Sequence, residues 1–521
     1  MKHYCQLVFF ILCSTLSTLT LWAEPISETA ALQEARAFLA QRGRLDALQT
    51  SVLAPSRGPR TQQSSDFYVF NVSDNGGFVV VSGDDRALPI LGYADRGSID
   101  MNNLPPALQD LFNNYSAEIA ALDSMSTPSE TEAVQPSSVV RLPILPLIQT
   151  HWDQEPPYNL LTPFLPDGTQ PSAGCAATTA AQVMNYYRWP QAPTQGIPAY
   201  ISEPQQTLCD SLPPVTFDWD HMLTDYGPSA DSTACMAVAT LMRYVGQSMH
   251  MQYDYWGSGA LIEQLSYAIS EYFDYDAAAY YSNRNAYPQE QWISMLYDEL
   301  AAGHPIFYSF YEVGGGHAVV CDGYDVDDYF HFNFGWSGLS DGFYSLSAIY
   351  PIEQGSGSYW RSSTYGSNHG ALFGLVPNRG GQRANIIQLG ELYLGYFDTA
   401  SVISFHREDF RQPFLDSTAY LTVMFFLTEL DDKECTVAVQ AFDSAGNYAA
   451  TLYTEGPDTI TSYNHYYIAP DTIARQLPLG TFSLKIVSRL GGDEEWQPLA
   501  MSDLYPKIGR ASCRERVCQL V

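Results

Sequence analysis

The sequence predicts an α+β protein of several domains: a small α+β unit, then a two-lobe unit, then an all-β sandwich. The chain has 521 residues, too many for a single hydrophobic core. Its content of 46 % hydrophobic and 13 % aromatic residues is enough to fill large cores. Helical and strand-like patterns fall in separate stretches of the chain, so the element type changes from one unit to the next.

The first residues predict a secretory signal. Lys2 precedes a mostly apolar run over residues 7–21, and Ala23 stands just before a polar break. The run is shorter than the roughly 20 apolar residues that cross a bilayer, and no other stretch approaches that length. We therefore expect residues 1–23 to be a signal peptide, the protein to be secreted or held at the cell surface, and no membrane span.

Charge and cysteine spacing exclude several classes of partner. The formal net charge is −32, from 57 acidic and 25 basic residues. Such a field repels phosphate backbones, so we expect no nucleic-acid partner. The nine cysteines have no zinc-knuckle spacing, and the chain contains no phosphate-binding glycine loop. We therefore expect no metal and no other cofactor.

Residues 24–138 are predicted to form a small α+β domain with a linker. A capped helix begins in residues 26–32, and residues 67–72 and 77–82 are predicted to pair as strands across a turn. Residues 124–138 are rich in Ser, Thr, Glu and Pro, a composition typical of linkers. A cut there would separate this domain from everything downstream.

Residues 139–380 are predicted to form a helical lobe followed by a lobe of antiparallel strands, with a cleft between them. Apolar residues at helical spacing predict helices at 176–187, 237–242 and 292–296. Strands are predicted at 305–310, 317–321, 329–334 and 343–346.

The remaining chain divides at residue 507. Short alternating strands, among them 420–426, 436–439 and 481–487, predict that residues 381–507 form an immunoglobulin-like β-sandwich. Residues 508–521 carry three arginines and two cysteines in an otherwise acidic chain. This break in composition indicates a non-native tail.

Cys175 begins a predicted helix, and that position points to nucleophilic chemistry. Free N–H groups and the helix dipole favour its thiolate, which is the nucleophilic form. Many cysteines among alanines are merely small buried hydrophobes, so the assignment needs a partner histidine. His317 opens a strand behind three glycines, 142 residues after Cys175. Papain-like enzymes separate these two residues by roughly 130–150 positions.

Other side chains would complete such a site. A hairpin centred on residue 325 would make Asn333 the cross-strand neighbour of His317, and its amide oxygen would orient the imidazole. Trp336 would then cover the pair and exclude water. The oxyanion needs a donor besides the Cys175 N–H; Gln154 and Gln170 are both candidates, and we prefer Gln154.

Several motifs carry a resemblance to the streptopain family of bacterial cysteine proteases. In the two-lobe unit they are Gly174-Cys175-Ala176-Ala177-Thr178, Gly316-His317-Ala318-Val319 and His331-Phe332-Asn333-Phe334-Gly335-Trp336-Ser337-Gly338. In the first unit, residues 67–71 and 77–85 are similar to the family's inhibitory propeptide. Phe334 is a departure, since the member that gives the family its name has tryptophan at that position.

The resemblance implies a papain-like fold and a zymogen whose first domain blocks the cleft until the linker is cut. It implies that Cys175 is the nucleophile and His317 the base, with Asn333, Trp336 and Gln154 in supporting roles. We therefore expect a secreted cysteine endopeptidase that acts on proteins and peptides through an acyl-enzyme, and whose own propeptide is its intramolecular inhibitor.

Two alternatives remain open from the sequence. One is a cysteine acyltransferase of transglutaminase type, which needs an aspartate as third member; Asp322 and Asp325 are the candidates. The other is a catalytically inert surface adhesin whose β-sandwich is the functional part.

Overall fold

The structure is a computed structural model. It describes residues 25–44, 48–53, 65–122, 140–284, 287, 289–312, 315–349, 369–383, 387–398, 401–405, 419–427, 429, 432–443, 445–460, 463–468, 480–491, 495–499 and 507–510. The predicted signal peptide and most of the predicted linker lie outside these residues. Among the described residues, no helix is both long enough and apolar enough to cross a membrane.

The N-terminal part contains two helices and four strands. In chain order they are α1 (Glu28–Gln41), β1 (Leu48–Leu53), β2 (Phe67–Val72), β3 (Phe78–Ser82), β4 (Ile90–Ala94) and α2 (Pro106–Ala121). The predicted cap of α1 is confirmed, because Ser27 Oγ accepts a hydrogen bond from Ala30 N at 3.3 Å. The predicted β2–β3 pairing is also confirmed. The sequence reasoning missed α2.

The next stretch is mainly helical, as predicted. Its elements are α3 (Cys175–Tyr187), β5 (Tyr200–Ser202), β6 (Thr207–Cys209), α4 (Ser232–Ser248), α5 (Leu265–Phe273), β7 (Tyr280–Asn283) and α6 (Gln289–Ala301). Helix α3 ends where Arg188 adopts a left-handed conformation with φ of 50°. Pro190 follows two residues later and prevents the helix from continuing.

The strands that follow complete one antiparallel sheet. They are β8 (Ile306–Glu312), β9 (Gly315–Asp325), β10 (Tyr329–Asn333), β11 (Gly342–Ser345) and β12 (His369–Phe373). The sheet has ten strands in the order β1-β2-β3-β4-β11-β10-β9-β8-β12-β7. The N-terminal strands join it where β4 pairs with β11, with Tyr93 opposite Phe343. The first two predicted units therefore share one sheet.

The predicted register of the β9–β10 hairpin is wrong. Strand β9 continues to Asp325, and the turn is formed by Val326–Asp328. The turn thus lies beyond residue 325, and a register shift follows between His331 and Phe332. As a result Asn333 lies opposite Val320, whereas His317 lies opposite Phe310 of β8. His317 and Asn333 are not cross-strand neighbours.

The C-terminal part forms two further antiparallel sheets. Its strands are β13 (Ile387–Asp398), β14 (Ser401–Phe405), β15 (Ala419–Leu427), β16 (Lys433–Phe442), β17 (Tyr448–Ile460), β18 (Tyr463–Ile468), β19 (Gly480–Leu490), β20 (Gln497–Pro498) and β21 (Lys507–Arg510). One sheet has the order β14-β13-β15-β18 and the other β17-β16-β19-β20, with β21 paired to β19. All-β structure is confirmed here, and an immunoglobulin-like topology stays a prediction. Most of the predicted tail, residues 511–521, lies outside the described residues.

Helix α2 packs against the face of the large sheet that lies away from α3. Its apolar residues Leu111 and Phe112 share a core with Phe310 and Phe332 of the downstream strands. Helix α3 packs in a separate core that includes Met184. Burial of aromatic and aliphatic side chains from both parts in one core holds α2 on the sheet.

Two polar contacts add to this docking. Arg42, just after α1, forms an ion pair with Asp325 at the β9–β10 turn, and its guanidinium lies 4.0 Å from the centre of the Tyr93 ring. Glu118 of α2 is buried and accepts hydrogen bonds from Ser347 Oγ at 2.9 Å and from Ala348 N. Burial raises the pKa of Glu118 to about 7, although the charge of Arg284 opposes the shift.

The first prediction concerns Glu118 and pH. A carboxyl whose pKa is raised by folding takes up a proton in the folded state, so the protein should lose stability as pH rises from about 4.5 to 7. The loss is on the order of 3 kcal/mol, and a Glu118→Gln variant should avoid it. Unfolding midpoints are measured at pH 5 and pH 8 in a Cys175→Ala background. The midpoint of Glu118→Gln should exceed that of the parent only at pH 8. Glu34→Gln, on the exposed face of α1, is the control. An equal effect of Glu118→Gln at both pH values would contradict the prediction.

Candidate active site

Cys175 is the first residue of α3 because the backbone turns sharply just before it. Gly174 has a φ of 92°, and a Cβ there would lie 2.8 Å from the carbonyl oxygen of Ser258. Only glycine fits both the conformation and the space. The helix therefore begins with the thiol at its N-terminus, as the sequence predicts.

The thiol lies against the beginning of β9. Ala318 N donates a hydrogen bond to Cys175 Sγ over 3.4 Å, and Ala318 directly follows His317. The structure thus brings the two predicted catalytic residues to one place, between the first turn of α3 and the sheet. Cys175 itself is partly exposed.

The pKa of Cys175 is raised in this structure, contrary to the thiolate expected from its position on the helix. Enclosure by the protein is the main cause, and the nearby charge of Asp110 adds to it. The N–H groups of Ala318, Ala176 and Cys175 act in the opposite direction and are outweighed. Burial and the charge of Asp110 together favour the protonated form of the sulfur.

Helix α2 lies beside the histidine. His317 Nε2 is 3.9 Å from Asp110 Oδ2, and Asp110 is buried. The sequence reasoning missed this aspartate together with its helix. The signal was present: Pro106 suits a first helical position, and Leu108, Leu111 and Tyr115 follow at helical spacing.

Asn333 does not orient His317 in this structure. Its Oδ1 accepts hydrogen bonds from Gln182 Nε2 and from Gly335 N, both at 3.0 Å, and its Nδ2 donates to the Thr150 carbonyl at 2.7 Å. Two donors thus occupy the amide oxygen that was expected to accept from the imidazole. The expected contact with the imidazole is therefore wrong, because the register of β10 places Asn333 opposite Val320.

Gln182 is a further residue that the sequence reasoning missed. It lies on α3, fully buried, and its Oε1 accepts from Thr150 Oγ1 at 2.8 Å. Through Asn333 it connects the helix of the nucleophile with the end of β10. Gln182 follows Cys175 by seven residues, two helical turns, which is the sequence signal for a shared helix face.

The two candidate oxyanion donors differ in their surroundings. Gln170 Nε2 donates to the Asn159 carbonyl at 2.9 Å, so its amide is already engaged. The Gln154 side chain makes no hydrogen bond within the described part of the chain, while its carbonyl accepts from Ala173 N at 2.9 Å. That bond holds Gln154 beside the segment leading to Cys175.

Trp336 lies in the loop after β10, partly buried against the core that contains α2. The expected covering of a His317–Asn333 pair does not occur, because that pair does not form. The loop is held by Phe334 N, which donates to Asp341 Oδ1 at 2.9 Å. Burial raises the pKa of Asp341 to about 6.

The two aspartates proposed for a transglutaminase-type site bind elsewhere. Asp322 Oδ1 lies 2.6 Å from His331 Nδ1, and its Oδ2 accepts from Ile148 N at 2.8 Å. The Asp322 carboxylate outweighs burial and raises the pKa of His331. Asp325 pairs with Arg42. With these partners, neither aspartate orients His317.

Metal binding and disulfides find no support within the described residues. No group of three or more His, Cys, Asp or Glu side chains there is arranged to hold a metal ion. The described cysteines, which are Cys175, Cys209, Cys235, Cys321 and Cys435, form no disulfide with one another.

Comparison with known proteins identifies two matched regions. The model of the Peptidase C10 family matches residues 152–344, and the model of the Spi protease inhibitor matches residues 23–119. Streptopain of Streptococcus pyogenes serotype M28 is 31 % identical over 329 residues, which are 60 % of this chain and 81 % of that protein. The thiol protease/hemagglutinin PrtT of Porphyromonas gingivalis is 30 % identical over 370 residues, and the match spans 68 % of this chain but only 42 % of PrtT.

A solved structure agrees with these matches. A fragment of prointerpain A from Prevotella intermedia superimposes with a TM-score of 0.50 and 27 % identity, covering 63 % of this chain and 99 % of that fragment. The Spi-type match contains all but the last two residues of α2, the helix whose Asp110 lies beside His317, and the peptidase match contains Cys175 and His317. The chain therefore belongs to the streptopain family of cysteine proteases, with an inhibitor-type domain in front of its peptidase domain.

Proposed function

We propose that Cys175 is the nucleophile and His317 the general base of this cysteine peptidase zymogen, and that it acts as a secreted endopeptidase. The observation that carries the proposal is the hydrogen bond from the residue after His317 to the thiol at the start of α3. It joins the two residue types that thiol catalysis requires.

The reaction follows from these positions. His317 takes the thiol proton, and the sulfur attacks the carbonyl carbon of the peptide bond. The resulting oxyanion accepts hydrogen bonds from Cys175 N and from Gln154 Nε2. The imidazolium then protonates the leaving amine as the C–N bond breaks, and water, deprotonated by the imidazole, hydrolyses the thioester.

The first domain blocks this chemistry in two ways. Helix α2 brings the charge of Asp110 near the thiol, and this charge adds to burial in raising the pKa of Cys175. The same helix brings Asp110 Oδ2 to 3.9 Å from His317 Nε2. In our proposal, this nitrogen accepts the proton of the thiol. Removal of α2 would take away this negative charge, so the thiolate would become easier to form.

The other predicted site residues take supporting roles in this proposal. Gln154 is the second oxyanion donor, because its amide is free of other bonds in the described structure while Gln170 is engaged. Asn333 holds α3 to the end of β10 through Gln182 and so supports the position of the nucleophile. Trp336 packs the loop after β10 against the core.

We also propose the limits of the processed protein. Residues 1–23 are removed as a signal peptide, and maturation cuts within residues 124–138, the stretch that is rich in Ser, Thr, Glu and Pro. The peptidase domain extends to about residue 380. The C-terminal sheets form an immunoglobulin-like sandwich that attaches the enzyme to a surface or captures its substrates.

The second prediction tests the nucleophile. Cys175→Ala removes the attacking sulfur, so the purified precursor should keep its full mass while the parent sheds its first domain. Casein cleavage should fall at least about 1,000-fold, as expected when a covalent nucleophile is lost. Mass spectrometry over time and a casein assay measure both effects. Cys235→Ala, on α4, is the matched control and should behave like the parent. An alanine variant at 175 that still matured alone would overturn the assignment.

The third prediction tests Asp110. Asp110→Asn keeps the shape of the side chain but removes its charge. In the parent, that charge raises the pKa of Cys175 and pairs with His317. The thiol in uncut precursor should therefore react several-fold faster with an epoxide inhibitor. Intact-mass analysis of uncut chains gives the labelled fraction. Gln109→Ala, on the exposed side of α2, should leave labelling unchanged. Labelling of Asp110→Asn at the parental rate would show that the charge does not restrain the site.

A further inference from the structure

We propose that Asp153 is a positioning residue that holds Gln154 for catalysis by joining its loop to the loop after β10 through Ser337. The inference rests on the proposed role of Gln154 as an oxyanion donor.

The Asp153 carboxylate binds both loops at once. Its Oδ1 accepts from the backbone N–H of Gln154 at 2.6 Å, with a longer contact of 3.4 Å from Glu155 N. Its Oδ2 accepts from Ser337 Oγ at 2.5 Å. One oxygen therefore shapes the backbone at Gln154, and the other fixes that turn to the neighbouring loop.

Further contacts hold the loop of Asp153 against the loop after β10. Ser337 N donates to the Trp152 carbonyl at 3.1 Å. A Cβ added to Gly338 would lie 3.1 Å from the His151 ring, so these residues pack closely. The Asp153–Ser337 bond is the side-chain link in this contact.

The same turn is anchored beside the nucleophile. The Asp153 carbonyl accepts from Thr178 Oγ1 at 3.2 Å, and the Gln154 carbonyl accepts from Ala173 N at 2.9 Å. These partners lie on the two sides of Cys175 in the chain. Residues 153 and 154 are therefore held between the start of α3 and the loop that carries Ser337.

The conformation of Ser337 is an independent observation. Its φ is 54°, in the left-handed region where glycine is the least strained residue. A serine there accepts backbone strain that a glycine would avoid. Its hydroxyl, bonded to Asp153, gives a reason for serine at this position.

Such a link matters because an oxyanion donor acts only if it is already in place. The amide of Gln154 has no side-chain partner in the described structure to orient it, so its position depends on its backbone. A displacement of about 1 Å at a catalytic group can cost on the order of 100-fold in rate. Loss of the link should therefore lower kcat rather than weaken substrate binding.

The test uses Asp153→Ala, Ser337→Gly and the double variant in the full chain, matured with a trace of parent enzyme and titrated for active sites. We expect Asp153→Ala to lower kcat about tenfold and Ser337→Gly about threefold, with KM within about twofold. The double variant should be no slower than Asp153→Ala alone, because both changes break one link. Asp153→Asn keeps an acceptor for Gln154 N and a donor for Ser337 Oγ, and it should stay within about twofold of the parent.

Stability and labelling separate positioning from a merely structural role. Ser337→Gly relieves the strained φ, so its unfolding midpoint should equal or exceed that of the parent although kcat falls. Alkylation of Cys175 by an epoxide forms no carbonyl oxyanion, so its rate should not change in any of these variants. Independent losses that multiply in the double variant, or a fall in labelling that matches the fall in kcat, would overturn the inference.

Two controls make the outcome interpretable. Asp443→Ala removes an aspartate that caps a turn in the same way but lies in the C-terminal part, and kcat should not change. Gln154→Ala tests the underlying assignment. If it leaves kcat unchanged, the proposed oxyanion donor is wrong; if it lowers kcat while Asp153→Ala does not, only the positioning role of Asp153 is wrong.

Discussion

Backbone pairing between β4 and β11 is the interaction on which the arrangement of this precursor depends. It makes the strands of the inhibitor-type domain continuous with those of the peptidase domain, and it determines where α2 lies. Gly92 allows the close approach, since a Cβ there would lie 2.4 Å from the Tyr344 ring. Once the strands are paired, α2 packs over β8 and β9, and Asp110 reaches the beginning of β9, where His317 lies.

The inhibited site combines apolar burial with buried polar groups. The shared core supplies most of the attraction between the two domains, because it removes many aromatic side chains from water. Asp110 and Glu118 on α2 are also buried, and a buried carboxyl is costly when ionised. The domain is thus held firmly by shape and hydrophobicity, while the raised pKa of Glu118 makes the docked state sensitive to protonation.

Much of the site could be predicted from local sequence, and the remainder depended on long-range geometry. Cys175 and His317 were predicted from a helix start, a glycine-rich strand start and their separation, and the structure brings them together. The predicted contact of Asn333 with His317 was wrong because the β9–β10 turn comes slightly later than expected. That later turn and one register shift change the residue pairs along the hairpin. The contacts of Asp110 and Asp153 join segments far apart in the chain, which no local pattern reveals.

The short length of β11 has a consequence for the enzyme after maturation. When the strands of the first domain leave, β11 becomes the edge of the remaining sheet, with unpaired N–H and C=O groups facing outward. Long exposed edges pair with other chains and lead to aggregation, whereas short ones offer too few hydrogen bonds to do so. The four residues Gly342–Ser345 form a short edge of this kind. A protein that discards four of ten strands therefore exposes only a short edge to other chains.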